Sequence, residues 1–214
     1  MYLDGGGHAN SVFGDGTLTA KPPSAAGSDT FTYDPMNPVP SLGGGVCCNA
    51  GASLGGSYDQ RGIEARADVL VYTGEPLTEP LEVTGFVRAK LYVGSDANDT
   101  DFTVKLVDVY PDGTAYNVDD TILRARYRDG YDREVFMKEG EVYELNPTAM
   151  STSYEFGASH RIRVEVASSK FPQYMRNLNT GGNNYDETEG VIAHNSVHHS
   201  AEHPSQIILP VRRK

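Results

Sequence analysis

The run from Leu81 to Val93 limits what this chain can fold into more than any other stretch. Leu81, Val83, Gly85, Val87, Ala89, Leu91 and Val93 fall on alternate positions, with Glu82, Thr84, Phe86, Arg88, Lys90 and Tyr92 between them. Successive side chains of a strand point to opposite faces. A period of two over this length therefore predicts one long strand with a single buried face. A polar break from Ser95 to Thr100 leads to a second strand, in which Phe102, Val104 and Leu106 alternate with Thr103 and Lys105. Val107 and Val109 make that strand apolar on both faces, as expected near the centre of a sandwich. Pro111-Asp112-Gly113 supplies a turn, with proline fixing φ and glycine tolerating a positive one, and the return begins at Ala115.

Shorter strands are expected at Tyr2-Leu3, Gly16 to Ala20, Thr30 to Tyr33, Ile63 to Tyr72, Ile122 to Tyr127 and Glu141 to Leu145. Arg161 to Val166 alternates, with Ile162, Val164 and Val166 inward and Arg161, Arg163 and Glu165 outward. Further strands are expected near Gly190 to Ala193, Ser196 to His199 and Gln206 to Val211. Pro172 to Asp186 reads as a loop with a helical turn around Tyr174-Met175-Arg176. No window sustains a 3.6-residue period over ten residues. Many short strands with Gly and Pro turns predict an all-β fold, a jelly-roll β-sandwich. Residues 1–58 are rich in Gly, Pro, Ser and Asp and read as a wrapping N-terminal arm of the same domain, with 59–214 as the sandwich core.

A chain of 214 residues is long enough for one well-buried core. Its net charge of −11 argues against nucleic acid, whose phosphates need Lys and Arg opposite them, and against an anionic membrane surface. No apolar run approaches the ~20 residues that span a bilayer, and Met1-Tyr2-Leu3-Asp4-Gly5 lacks the pattern of a signal peptide. Cys47 and Cys48 are neighbours, about 3.8 Å apart at Cα across a trans peptide, so a bond between them would be strained. They read as reduced thiols, which favours a cytoplasmic location, and two adjacent thiols without a second pair make a poor zinc site. No cofactor is expected.

Several patterns invite chemistry. Gly51-Ala52-Ser53-Leu54-Gly55 matches G-x-S-x-G, but a nucleophile elbow needs a buried strand before the serine and a helix after it, and neither flank fits. His194, His198, His199 and His203 cluster near Glu187, Glu189 and Glu202, without a recognised ligand spacing, and read as surface histidines. Asp96, Asp99, Asp101, Asp119 and Asp120 offer oxygen ligands for calcium, yet aspartate is common in turns for its backbone hydrogen bonds. Exposed aromatic rings would suit a sugar; there is no Trp, but there are thirteen Tyr.

Four longer stretches are more specific. They are Tyr33-Asp34-Pro35-Met36-Asn37-Pro38-Val39-Pro40-Ser41-Leu42-Gly43-Gly44, the run Tyr58 to Thr73, the run Asp99 to Gly113, and His160 to Pro172. In this order, continuing through Arg176 to Gly181 and His203-Pro204-Ser205 to Leu209-Pro210, the chain resembles the C-terminal domain of the cocaine-esterase and X-prolyl dipeptidyl-peptidase family of serine hydrolases. The resemblance implies a jelly roll of the galactose-binding-domain-like kind, packed against an α/β-hydrolase domain and a helical cap. It places the Ser, Asp and His triad in the hydrolase domain, so no catalytic residue is carried over and Ser53 is not the nucleophile. At Asn146-Pro147-Thr148-Ala149-Met150 the chain departs from the family's more apolar strand.

The expected role is a non-catalytic domain that buttresses the hydrolase domain and helps wall its substrate entrance. Gly45, Val46, Cys47, Cys48 and Asn49 are the candidate entrance residues, on a loop from Gly45 to Tyr58 whose glycines let its backbone approach a neighbour closely. The same loop would equally serve simply to pack on that neighbour. A free-standing carbohydrate-binding module of similar fold is the alternative. The expected partners are the hydrolase and cap domains. An apolar patch left open without them favours self-association of an isolated domain, or disorder of 1–58.

Overall fold

The computed structural model describes residues 1–46 and 55–212. Among them are twelve strands: β1 (Tyr2–Asp4), β2 (Thr17–Thr19), β3 (Ser28–Tyr33), β4 (Leu70–Thr73), β5 (Leu81–Ser95), β6 (Asp101–Val109), β7 (Ala115–Arg124), β8 (Tyr143–Leu145), β9 (Met150–Phe156), β10 (Arg161–Ala167), β11 (Ala193–His198) and β12 (Gln206–Ile208). One helical turn, α1 (Arg61–Glu64), and a 3₁₀ turn at Ala125–Tyr127 are the helical elements of the described residues. The chain is an all-β sandwich.

The long alternating strand organises the pairing. One edge of β5 pairs with β9 over Leu81 to Val87 and with β8 over Leu91 to Val93. The other meets β12 over Arg88 to Lys90 and β11 over Tyr92 to Ser95. From β12 the order runs through β1, β2, β4, β10 and β6 to β7, and from β11 to β3 at the opposite end. Val83, Val87, Ala89, Leu91 and Val93 of β5 pack with Phe102, Val104 and Leu106 of β6 and Ile162, Val164 and Val166 of β10 in the main core. The three strands inside 1–58 are hydrogen-bonded parts of this structure: β1 pairs with β2 and β12, and β3 with β11.

All nine residues of β6 are buried, because β10 and β7 flank it and both of its faces are covered. Its second face, with that of β10 and β4, carries two small apolar clusters: Val39, Ile63, Val69, Val71 and Ala167, and Val107, Val109 and Ala115.

Several expectations are corrected. Arg163 and Glu165 are buried, not solvated, since α1 and the segment before it lie over that face. Residues 63–69 are not strand: Ile63 belongs to α1, and Arg66 turns back to pair with Asp68, with Nη2 2.7 Å from Oδ2. The stretch Ile122 to Tyr127 divides, its first half ending β7 and its second forming the 3₁₀ turn. There Asp99 Oδ1 accepts the Arg126 amide and Oδ2 its Nε, at 2.9 and 2.8 Å, which bends the chain off the strand path. The two strands expected at 190–199 are one, β11; its central Asn195 is buried and bonds the side chains of Ser95 and Ser168 instead of breaking the ladder. Around Tyr174 a single bond from its amide to the Lys170 carbonyl, 3.0 Å, closes a turn that does not continue as helix. β9 begins at Met150, the last residue of the atypical stretch, and its run to Phe156 is not among the strands expected from the sequence.

Candidate functional site

The site is the base of the loop that follows Leu42. Its approach is fixed by a short parallel ladder: Val39 donates its amide to Ser169 Oγ at 2.8 Å, Phe171 donates to the Val39 carbonyl at 3.0 Å, and Ser41 donates to the Phe171 carbonyl at 2.7 Å. The backbone then turns through Gly43 (φ +76°) and Gly44 (φ +110°), a region that side chains with a Cβ rarely enter. Gly44 and Gly56 exchange amide-to-carbonyl bonds of 2.8 and 2.9 Å, so the two limbs are latched together where the loop leaves the domain. A Cβ on Gly44 would sit 2.5 Å from Lys170 Nζ and 2.7 Å from Asp120 Oδ2, so only glycine lets the backbone pass over that ion pair.

Asn117 of β7 holds the latch from below. Its Nδ2 donates to the Gly56 carbonyl at 3.0 Å, and its Oδ1 accepts the Tyr58 amide at 2.7 Å and Gln60 Nε2 at 3.1 Å. Its carbonyl accepts Ser57 Oγ at 3.0 Å. A bulge puts it there. β6 and β7 are in register from Asp101 to Leu106, but Leu106 faces Asp119 while Val107 faces Asn117, leaving Val118 as an extra residue. Val118 packs on the main core, and the parity of β7 changes across it. Ala115 and Asn117 on one side of the bulge then share the second face with Asp120 on the other.

Below the latch lies a layer of buried charge. Lys170 pairs with Asp120. Lys105 Nζ donates to Glu165 Oε2 at 2.7 Å and to Gln60 Oε1 at 2.8 Å, and Gln60 Nε2 reaches up to the Leu42 carbonyl at 3.0 Å. Arg163 Nη1 donates to Glu64 Oε2 at 2.6 Å. Burial pushes the Glu64 carboxyl above its usual range, and the charge of Glu165 adds to this against Arg163. Burial likewise lowers the Lys170 ammonium, with Asp120 opposing. Each cation here has an anion, which a buried charge requires. Through Gln60 this layer holds the Leu42 carbonyl and so fixes the approach to the loop.

Of the expected entrance residues, Gly45 lies open at the start of the loop, and the Val46 amide donates to the Gly44 carbonyl at 2.9 Å. Cys47, Cys48 and Asn49 fall outside the described residues, as does Ser53. Phe171 and Met175, both about 40% exposed, sit on the segment that pins the loop's approach, with the Arg176 guanidinium 5.9 Å from the Phe171 ring. Sequence reasoning missed Asn117, Gln60 and the charges beneath them. The available signal was Lys105 in a strand expected near the centre of the sandwich, with Glu165 on a strand able to pair with it.

The other candidates resolve differently. His194 is on the surface, Nδ1 2.6 Å from Asp96 Oδ2. His199 is not: it is 1% exposed, with Nε2 2.9 Å from Asp29 Oδ2. Of the aspartates, Asp99 and Asp101 pair with Arg126 and Arg124 and both accept Asn177 Nδ2, at 2.7 and 2.8 Å.

Comparison with known proteins identifies the family of the chain. The family model for the X-Pro dipeptidyl-peptidase C-terminal non-catalytic domain matches residues 1–208. The chain is 47% identical over 216 residues to cocaine esterase of Rhodococcus sp. (strain MB1 Bresler), covering all of this chain and 37% of that protein. Among solved structures it is similar to an α-amino acid ester hydrolase, at 30% identity and a TM-score of 0.83, over 99% of this chain and 36% of the other. An aminopeptidase from a marine sediment Thaumarchaeota archaeon matches at 30% identity and a TM-score of 0.82, over 95% and 36%. The chain thus spans little more than a third of the length of these relatives. An all-β sandwich matched by that model over nearly its full length belongs to the family of X-Pro dipeptidyl-peptidase C-terminal non-catalytic domains.

Proposed function

We propose that this domain buttresses the catalytic α/β-hydrolase domain of a serine hydrolase of the X-Pro dipeptidyl-peptidase and acyl-esterase type, and that its loop helps wall the substrate entrance. The observation that carries the reading is the clamped loop base. Gly44 and Gly56 are latched over Asn117, beside exposed Phe171 and Met175, in a chain that covers about a third of its enzyme relatives. A rigid scaffold that presents a loop at an apolar rim suits a wall between domains. Ester or amide cleavage is read from the names of the relatives, and the reactive serine, aspartate and histidine are assigned to the hydrolase domain.

The test uses the longer protein that contains this chain. Val46→Asp should raise KM for an aryl ester at least several-fold, since it places a charge at the apolar edge of the entrance, while leaving the catalytic serine's reaction with a small phosphonate unchanged. Unchanged KM across aryl and aminoacyl esters would remove the loop from the entrance. Full stability of the hydrolase domain expressed without this chain would remove the buttress.

A further inference from the structure

An arginine and a tyrosine converge on one carboxylate just past the end of β7. Arg124 closes that strand, and Arg126 and Tyr127 belong to the 3₁₀ turn that follows. Asp101 accepts Nε and Nη2 of Arg124 at 2.9 and 3.3 Å, and Asp99 accepts Nε of Arg126, so buried carboxylates fix both guanidiniums. Arg126 Nη1 and the Tyr127 hydroxyl then both donate to Glu134 Oε1, at 3.1 and 3.0 Å. These bonds, that of Arg126 first, hold the Glu134 carboxyl below its usual range, and the charge of Arg124 adds to them. All four side chains line a cavity of about 400 Å³, whose other wall is the loop from Gly181 to Tyr185. Arg126 Nη2 pins that wall by donating to the Gly182 carbonyl at 3.1 Å.

The two members of the Arg126–Glu134 pair are held very differently. The Arg126 side chain is 6% exposed and tied to Asp99, whereas that of Glu134 is 45% exposed on an irregular segment before β8. An ion pair with one solvated partner is weakly held. Each guanidinium has five N–H groups. Arg124 uses two of its five on Asp101, and Arg126 uses one each on Asp99, Glu134 and the Gly182 carbonyl. The others have no acceptor among the described residues. The rings of Tyr127 and of Tyr185, which is 83% exposed, add flat apolar surface to the same cavity.

We propose that this pocket binds a small carboxylate with a flat apolar body, and that Glu134 holds the carboxylate position until a ligand displaces it. Asp99 and Asp101 already match the two arginines, so Glu134 is a surplus negative charge there. A second carboxylate would be repelled by it, and ligand and Glu134 therefore exclude each other. The ligand would take the donors that Glu134 now uses and lay its body along the tyrosine rings. The site is built from this chain's own side chains and is independent of which enzyme the domain serves.

Calorimetric titration of the protein with phenylacetate tests this, with acetate as the ligand that lacks a ring. Glu134→Ala should bind phenylacetate at least several-fold more tightly than the unaltered protein. Adding Tyr127→Phe should take back most of that gain, since it removes one donor and keeps the ring. Equal affinity of the unaltered protein and Glu134→Ala overturns the proposal. So does a crystal structure of Glu134→Ala with phenylacetate bound away from Arg126 Nη1 and the Tyr127 hydroxyl. Acetate binding as tightly as phenylacetate would overturn the flat apolar body. If Glu134→Ala does not fold, Glu134→Gln, which loses only the charge, should change affinity in the same direction, and no change there refutes the site.

Discussion

Lys105 and Glu165 stand directly opposite each other in the paired strands β6 and β10, and their side chains meet at 2.7 Å in a layer closed to water. The pair is the fixed point of the polar face. Breaking a buried pair by removing one partner leaves an uncompensated charge and costs about 3–5 kcal/mol, whereas replacing both partners with apolar groups is often neutral or stabilising. Lys105→Met should therefore lower the unfolding free energy by roughly that amount. The double variant Lys105→Met with Glu165→Leu should recover most of the loss, short of the bond left open at Gln60 Oε1. Urea denaturation of both variants checks this; a double variant no better than the single one would refute it.

Asn117 makes its loop-base contacts from a buried position, so truncation strands the groups it satisfies. Asn117→Ala should cost about 1–3 kcal/mol, the range for a buried donor or acceptor left unpaired. More specifically, it should speed hydrogen exchange at the Gly44 and Gly56 amides while leaving β5 and β10 protected. Uniform acceleration across the sheet would mean that Asn117 supports the whole domain and not the latch.

Gly44 combines a positive φ with a close approach to the Lys170–Asp120 pair. Gly44→Ala adds backbone strain and pushes on two buried charges, so it should destabilise by more than the ~1 kcal/mol of an ordinary glycine effect. Gly45→Ala is the control, because a Cβ at Gly45 meets nothing within 4 Å. Equal midpoints for the two variants in thermal unfolding would contradict this account.

His199 and Asp29 give the domain a pH dependence. Burial by itself would lower the His199 imidazole, but Asp29, helped by Asp4, outweighs it and the net shift is upward. Burial would raise Asp29, but His199, the Ala9 amide and the Tyr72 hydroxyl outweigh it, and the carboxyl ends lower than usual. A raised histidine stabilises fully below its unfolded pKa, about 6.5, and loses that contribution as pH rises through the folded value. A lowered aspartate stabilises above about 3.9 and loses its share as pH falls through its folded value. The pair therefore contributes most between about pH 4 and 6.5 and weakens toward alkaline pH. His199→Gln should flatten the decline in unfolding free energy between pH 6 and 9. An unchanged slope would assign the decline to other groups.

The long strand and its neighbours were legible in the sequence because each buries one face and solvates the other, and that alternation is written residue by residue from Leu81 to Val93. Arg163 and Glu165 were misread for the same reason. Alternation marks which side a residue takes and is silent on whether something covers that side. The helical turn α1 that covers it is only four residues long, too short for any period to register. β9 was missed because Ser151, Thr152 and Ser153 look like a loop, although Met150, Tyr154 and Phe156 keep the strand's spacing. Gly43 and Gly44 flagged the loop, but the residue that holds it, Asn117, comes from a strand more than seventy positions further along the chain.

The extra residue at Val118 has a consequence for folding fidelity. On one side of it odd-numbered positions, Ala115 and Asn117, take the polar face; on the other the even-numbered Asp120 does. If β7 slid past β6 by a single position, both halves would turn their polar side chains toward the main core. A slide by two would carry the kink away from the partner that accommodates it. The hairpin is therefore keyed: one extra residue becomes a stop against misalignment.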